Sequence, residues 1–124
     1  MKDNFLQFLA LTKGAGKLIE GYNKCEEKIK HGKVFLCILS KSISDNSYKK
    51  FKNLCERFNV KLIYDYDKED LGGILGRKEI NVLGVIDYNM GTKLMEIYNA
   101  NQNNRGWIYV ENKSIWIGKG IKYI

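Results

Sequence analysis

The sequence predicts an α/β fold, a three-layer α/β/α sandwich with a central mixed four-stranded sheet and a C-terminal β-hairpin extension. Strand and helix patterns alternate over most of the chain, which is typical of a sheet covered by helices on both faces. The run from Val34 to Leu39 is continuously apolar, as expected of a strand buried on both sides. A length of 124 residues allows one core. We therefore predict one sandwich domain over residues 1–100 and an extension over residues 101–124.

Each element has its own pattern. Apolar residues at helical spacing, from Phe5 to Leu9, predict a first helix that ends before Gly14. Ser44 and Asp67 are candidate N-caps of later helices. The predicted elements after the first helix are strand 17–20, helix 22–30, strand 34–39, a helix after residue 44, strand 61–66, helix 68–75, strand 82–86 and a helix over about 90–98.

Two adjacent glycines, Gly72 and Gly73, fall inside one of these predicted helices. Glycine in a helix interior costs about 1 kcal/mol relative to alanine. We therefore expect close packing, or close approach of another chain segment, at this pair.

The C-terminal residues predict a polar linker over 99–106 and a hairpin with strands over 107–110 and 114–117. A two-stranded hairpin alone is marginal in water, so it must dock on its own sandwich, on a second copy or on a partner. We favour docking on its own sandwich. This predicts a monomer, with a dimer through the hairpin as the alternative.

Charge and cysteine content point to partner and compartment. The net charge of +7 and pI near 9.3 favour a polyanionic partner, although a merely lysine-rich soluble surface would give the same values. Cys25, Cys37 and Cys55 are odd in number, widely spaced and in apolar phase, which favours buried thiols in a reducing compartment. The N-terminal apolar run is too short to span a membrane. We expect a cytoplasmic protein.

The sequence does not favour an enzyme. The segment Gly14-Ala15-Gly16-Lys17 lacks the earlier glycine and the following hydroxyl of a phosphate-binding P-loop. His31 is the only histidine, and no nucleophile is paired with a base. We expect no catalytic residue, no metal site and no cofactor.

The segment Gly21-Tyr22-Asn23-Lys24 opens the second predicted helix and is the best candidate binding site. Unpaired N–H groups at a helix N-terminus attract phosphate. Gly21 permits a close approach, and Asn23 offers both a donor and an acceptor to base edges. Lys24 and Lys28 lie off the apolar stripe of the helix. This combination on a basic domain suits RNA.

Several longer stretches carry a family resemblance: FLALTKGAGKLIEG, the GK-apolar strand, the lysine-rich helix ending in CERFNV, and DLGGILG. Over about residues 5–98 the chain resembles the small RNA-binding ribosomal protein family of archaeal "L-seven-Ae" and eukaryotic "L-thirty-e", and within it the bacterial YlxQ-like branch. The resemblance implies an α/β/α sandwich, binding of RNA, often of kink-turns, and no catalysis.

The resemblance also implies where RNA binds. The family pattern G-x-N-E-x-x-K at the tip of the second helix is matched by Gly21 and Asn23, while Lys24 replaces the usual glutamate and Glu27 the usual lysine. A second family contact is the loop after the DLG helix. This loop is charged here, which fits phosphate contact better than base readout. The predicted RNA-binding residues are Gly21, Tyr22, Asn23, Lys24, Lys28, Lys41, Gly76, Arg77 and Lys78.

The preferred function is therefore a non-catalytic, ribosome-associated protein that binds structured RNA, either ribosomal RNA or a kink-turn-containing RNA. The alternative is a protein-interaction or assembly module. Its anchors would be Trp107, Tyr109 and Trp116 of the hairpin, because aromatic residues dominate interface hot spots.

Overall fold

A computed structural model of the chain describes residues 3–101, 107–110 and 113–116, the last two ranges by backbone alone. The elements of the sandwich alternate in the predicted order behind one leading helix. They are α1 (Asn4–Gly14), β1 (Leu18–Glu20), α2 (Tyr22–Lys30), β2 (Leu36–Ser40), α3 (Asp45–Arg57), β3 (Lys61–Tyr66), α4 (Lys68–Ile74), β4 (Val82–Val85) and α5 (Tyr88–Asn101).

The four-stranded sheet is mixed, as predicted, with the strand order β1-β4-β2-β3. Strands β2 and β3 are parallel, and β4 is antiparallel to both β1 and β2. The last residues of β1, β2 and β3 therefore lie at the same end of the sheet as the first residue of β4. We call this the Glu20 end. The opposite end, where Phe35 precedes β2 and Ile86 follows β4, we call the Phe35 end.

Helices cover both faces of the sheet and make two separate cores. Helices α1, α4 and α5 pack on one face against residues such as Leu36 and Ile38 of β2. Helices α2 and α3 pack on the other face against Cys37 and Leu39. This alternation follows from the two-residue period of a strand. It confirms the three-layer sandwich and explains why every residue of β2 is buried.

The three cysteines are buried in the α2 and α3 layer, as the sequence predicted. Burial raises the pKa of the Cys25 thiol to about 12, because the thiolate would lose its hydration. Such thiols are packing groups and not nucleophiles at neutral pH.

Three local predictions have different outcomes. Ser44 caps α3 as expected, since its side chain accepts a hydrogen bond from the N–H of Ser47 at 3.2 Å. Asp67 occupies the N-cap position of α4, but its side chain makes no capping hydrogen bond and lies 3.8 Å from the ammonium of Lys41. The continuous apolar run begins as a strand only at Leu36, and Phe35 is 45% exposed.

Beyond the sandwich, β5 (Trp107–Val110) and β6 (Lys113–Trp116) pair antiparallel. Residues 111 and 112 of the predicted turn lie outside the described residues. The hairpin extension as a whole, its docking and the boundary at residue 100 stay predictions. Helix α5 reaches Asn101, so the linker predicted from Asn99 begins later than expected. Within the described part of the chain, no helix has the length and apolarity needed to cross a membrane.

Candidate nucleic-acid interface

The tip of α2 is shaped by the backbone of Gly21. This residue has φ 108° and ψ 155°, a conformation that residues with side chains rarely adopt. Its N–H donates to the carbonyl oxygen of Val82 at 3.0 Å, and its own carbonyl accepts from the N–H of Cys25 at 3.1 Å. Among the described residues, no side chain makes a capping hydrogen bond to this helix, and the space beside Gly21 is open. The first N–H groups of α2 can therefore donate to an external acceptor.

The side chains at this tip divide into outward and inward groups. Asn23, Lys24 and Lys28 are exposed. Tyr22 is half-buried, with its ring edge-to-face against Phe51 at a centroid distance of 4.9 Å. Tyr22 thus packs α2 on α3, and its backbone N–H lies at the tip.

The loop over residues 76–79 is held firmly against α4. The N–H of Arg77 donates to the carbonyl of Gly72 at 2.8 Å, and Gly76 turns the chain with φ 78°. A Cβ atom added to Gly72 would lie only 2.5 Å from the Cα of Glu79. The close approach expected at the glycine pair is therefore confirmed for Gly72 and wrong for Gly73, beside which there is open space.

Glu20, the last residue of β1, joins the tip to this loop. Its carboxylate accepts a hydrogen bond from the Nε–H of Arg77 at 2.9 Å and pairs with the ammonium of Lys13 at 3.2 Å. Lys13 also donates to the carbonyl of Leu75 at 2.7 Å. Burial raises the pKa of Glu20, but the hydrogen bonds from Arg77 and Lys13 outweigh it, so the net pKa is lowered.

Of the remaining predicted residues, Lys41 and Lys78 lie at the same end of the sheet. Lys41 follows β2, and its N–H donates to the carbonyl of Tyr66 at 2.8 Å. Two strand spacings separate Lys41 from Gly21, or about 10 Å across the sheet. Lys78 is exposed in the loop. The fold thus brings segments near residues 21, 41 and 77 together at the Glu20 end, whereas Lys28 lies about two turns further along α2, towards the Phe35 end.

Comparison with known proteins identifies the chain's relatives. The sequence model of the Ribosomal protein L7Ae/L30e/S12e/Gadd45 family matches residues 3–95 of the chain. The chain belongs to this family. L7Ae/L30e relatives are generally RNA-binding proteins without catalytic activity. The match confirms the predicted family and ends before the C-terminal extension.

Among the solved structures that this chain resembles, one shares its fold over nearly its whole length. It is described as a protein with unknown function from Bacillus halodurans C and is 26% identical, with a TM-score of 0.77. The similarity covers 79% of this chain and 99% of that chain. No curated protein matches the sequence.

Sequence reasoning missed Glu20 and Lys13. The hydrogen bond between Glu20 and Arg77 spans 57 positions, so no local pattern reports it. The available signal was topological: a carboxylate at the end of one strand and a basic loop leading into another become neighbours once those strands pair.

Proposed function

We propose that this L7Ae/L30e-family protein is a non-catalytic, ribosome-associated protein that binds structured RNA through the N-terminus of α2 and the adjoining loop. The observation that supports the proposal is the hydrogen bond between Arg77 and Glu20. Because Glu20 directly precedes the α2 tip, this bond holds the basic loop next to the helix N-terminus. A ribosomal RNA or a kink-turn-containing RNA would be the partner.

Arg77 supports phosphate binding by its geometry. Its Nε–H is engaged by Glu20, while 56% of its side chain is exposed. The terminal nitrogens of a guanidinium held in this way can donate to two oxygens of one phosphate. A positioned arginine loses less freedom on binding than a mobile one.

Lys24 and Lys78 add charge at the α2 tip and the loop, and Lys28 adds charge further along α2. All three are exposed, and among the residues the structure describes none of them forms an ion pair. Open lysines suit RNA phosphates, whose contacts position the protein without reading sequence. Asn23, with one donor and one acceptor group, is the residue suited to a base edge.

The test is an RNA-binding measurement on two variants, Asn23→Ala and Arg77→Ala. A stem containing a kink-turn is compared with the same stem in which the internal loop is replaced by Watson–Crick pairs. We expect Asn23→Ala to weaken binding of the kink-turn stem by about 5- to 150-fold, the equivalent of about 1–3 kcal/mol for one base contact. Arg77→Ala should weaken both RNAs by similar factors, because it contacts phosphate.

Lys52→Ala is the matched control, since Lys52 is an exposed lysine on α3 and not part of the surface. It should bind both RNAs as the unchanged protein does. Gly21 is a poor choice for the test because any side chain would strain its backbone at φ 108°. If Asn23→Ala and Arg77→Ala both bind with unchanged affinity and normal circular dichroism, the proposed surface is wrong.

A further inference from the structure

Two large aromatic rings lie exposed at the Phe35 end of the sheet, away from the surface proposed above. Phe35 is 45% exposed and Tyr88 is 64% exposed. Their ring centroids are 5.6 Å apart, and the planes meet at 79°. The two rings therefore contact each other and still leave most of Tyr88 in solvent. The fold gains little from burying Tyr88, and the two adjoining exposed rings leave aromatic surface available to a ligand.

The backbone under these rings is rigid. The N–H of Phe35 donates to the carbonyl of Val85 at 2.9 Å, which fixes Phe35 to the end of β4. Tyr88 is in the first turn of α5, where Asp87 accepts a hydrogen bond from the N–H of Met90 at 2.9 Å. Both rings thus project from the ends of regular elements and not from a long loop.

Two lysines belong to the segments that lead to this pair. Lys33 lies two residues before Phe35, and the carbonyl of Lys17 accepts from the N–H of Ile86 at 3.0 Å, two residues before Tyr88. Both lysines are exposed, and neither forms an ion pair among the described residues. Interface cores between proteins are depleted in lysine. Exposed aromatic rings beside unpaired ammonium groups match instead the bases and phosphates of unpaired nucleotides.

We propose that Phe35 and Tyr88, flanked by Lys17 and Lys33, form a second RNA contact that binds unpaired nucleotides by stacking. This site goes beyond the structured-RNA surface and does not depend on it. The two ends are separated by the length of β2, about 17 Å. A structured RNA held at the Glu20 end would therefore reach the second contact through a single-stranded flank.

The experiment measures binding of an unstructured 12-nucleotide oligouridine to the full chain, by fluorescence anisotropy and by amide chemical shifts. Tyr88→Ala is the main variant because Tyr88 is the more exposed ring. We expect a loss of affinity of about 5- to 150-fold, from about 1–3 kcal/mol for one stacked base. Tyr88→Phe should retain affinity within about twofold, because stacking needs the ring and not the hydroxyl group. The largest shifts should fall at Phe35 and Tyr88.

Tyr64→Ala is the matched control. Tyr64 is also exposed (40%) and also contacts another ring, that of Tyr48, but it lies on the edge strand β3. It should bind oligouridine as the unchanged protein does. Arg77→Ala should affect the structured stem and leave oligouridine binding unchanged, which separates the two proposals.

Three results would overturn the second contact. One is equal affinity of Tyr88→Ala and the unchanged protein for oligouridine. Another is a set of chemical shifts confined to the Glu20 end. The third is a change of oligomeric state in Tyr88→Ala without a change in RNA affinity, which would mean that the rings meet a second copy of the chain.

Discussion

The two ends of the sheet both carry lysines but are built in different ways. At the Glu20 end, a carboxylate holds two cations, those of Lys13 and Arg77, and a glycine contact fixes the loop that carries Arg77. At the Phe35 end, two aromatic rings stand beside exposed lysines. Exposed basic charge is thus combined with different groups at the two ends. The Glu20 end is arranged to place charge, and the Phe35 end is arranged to offer ring surface.

The largest effect on stability is expected from Gly72→Ala, which would disturb the Glu20 end and leave the Phe35 end unchanged. An added Cβ would meet the backbone of Glu79 at 2.5 Å, so either α4 or the loop must move. Overpacking of this kind costs about 1–3 kcal/mol. We expect that loss in the free energy of unfolding, measured in urea, together with weaker binding of structured RNA.

Gly73→Ala is the control for this substitution, because the neighbouring glycine has open space beside it and lies in the same helix. It should be neutral or should stabilise the protein by up to about 1 kcal/mol, through the helix propensity of alanine. Equal destabilisation by the two substitutions would show that the contact between Gly72 and Glu79 does not fix the loop.

A second prediction separates the two ends by salt dependence. Replacing Lys78 with alanine should reduce the slope of log affinity against log salt for a structured stem by about 1, because one phosphate contact is lost. Lys33→Ala should leave that slope unchanged and reduce the slope for oligouridine instead. Titrations over about 50–200 mM salt measure both slopes. If both variants change both slopes equally, one continuous basic surface would replace the two distinct ends.

The sequence predicted the sandwich well because its signals are local. Hydrophobic period, turn residues and the buried run of β2 each report on a few neighbouring positions. The bounds of α2 and β3 agree with their predicted ranges, 22–30 and 61–66. Phe35 was assigned to the buried strand because it is apolar. In the structure it directly precedes β2, and its ring stays 45% exposed beside Tyr88 at the start of α5.

The candidate site was predicted only in part, because it depends on contacts between distant segments. The α2 tip and the loop could each be found from the sequence, but the carboxylate that joins them could not. Asp67 shows the same limit. Its position before α4 predicts a capping side chain, yet Lys41 lies near its carboxylate only because β2 and β3 are adjacent and parallel. Tyr88 had no assigned role, since its exposure appears only once the sheet is formed.

The smallest effect expected concerns the charge of Glu20, which holds the Glu20 end together. The fold lowers the pKa of this carboxyl group, so the folded state favours its ionised form. The stabilisation is complete above the ordinary pKa of about 4.3 and is lost as pH falls through the lower folded value. Glu20→Gln removes the charge at every pH. At pH 7 it should cost about 1 kcal/mol, the scale of a charge-assisted hydrogen bond to partly exposed partners.

The pH dependence gives the sharper measurement. Between about pH 6 and pH 3, the unchanged protein should lose stability relative to Glu20→Gln, so that the two free energies of unfolding converge in acid.

Glu26→Gln is the matched control. Glu26 also has two lysine partners and a lowered pKa, caused by hydrogen bonds from Lys50 and Lys30. It should show the same convergence, but it joins α2 to α3 and should not change binding of structured RNA. A constant difference between the unchanged protein and Glu20→Gln down to pH 3 would mean that the carboxylate does not hold Arg77. The position of the loop over residues 76–79 would then rest on its contacts with α4, which are the close approach of Gly72 to Glu79 and the hydrogen bond from the N–H of Arg77 to the carbonyl of Gly72.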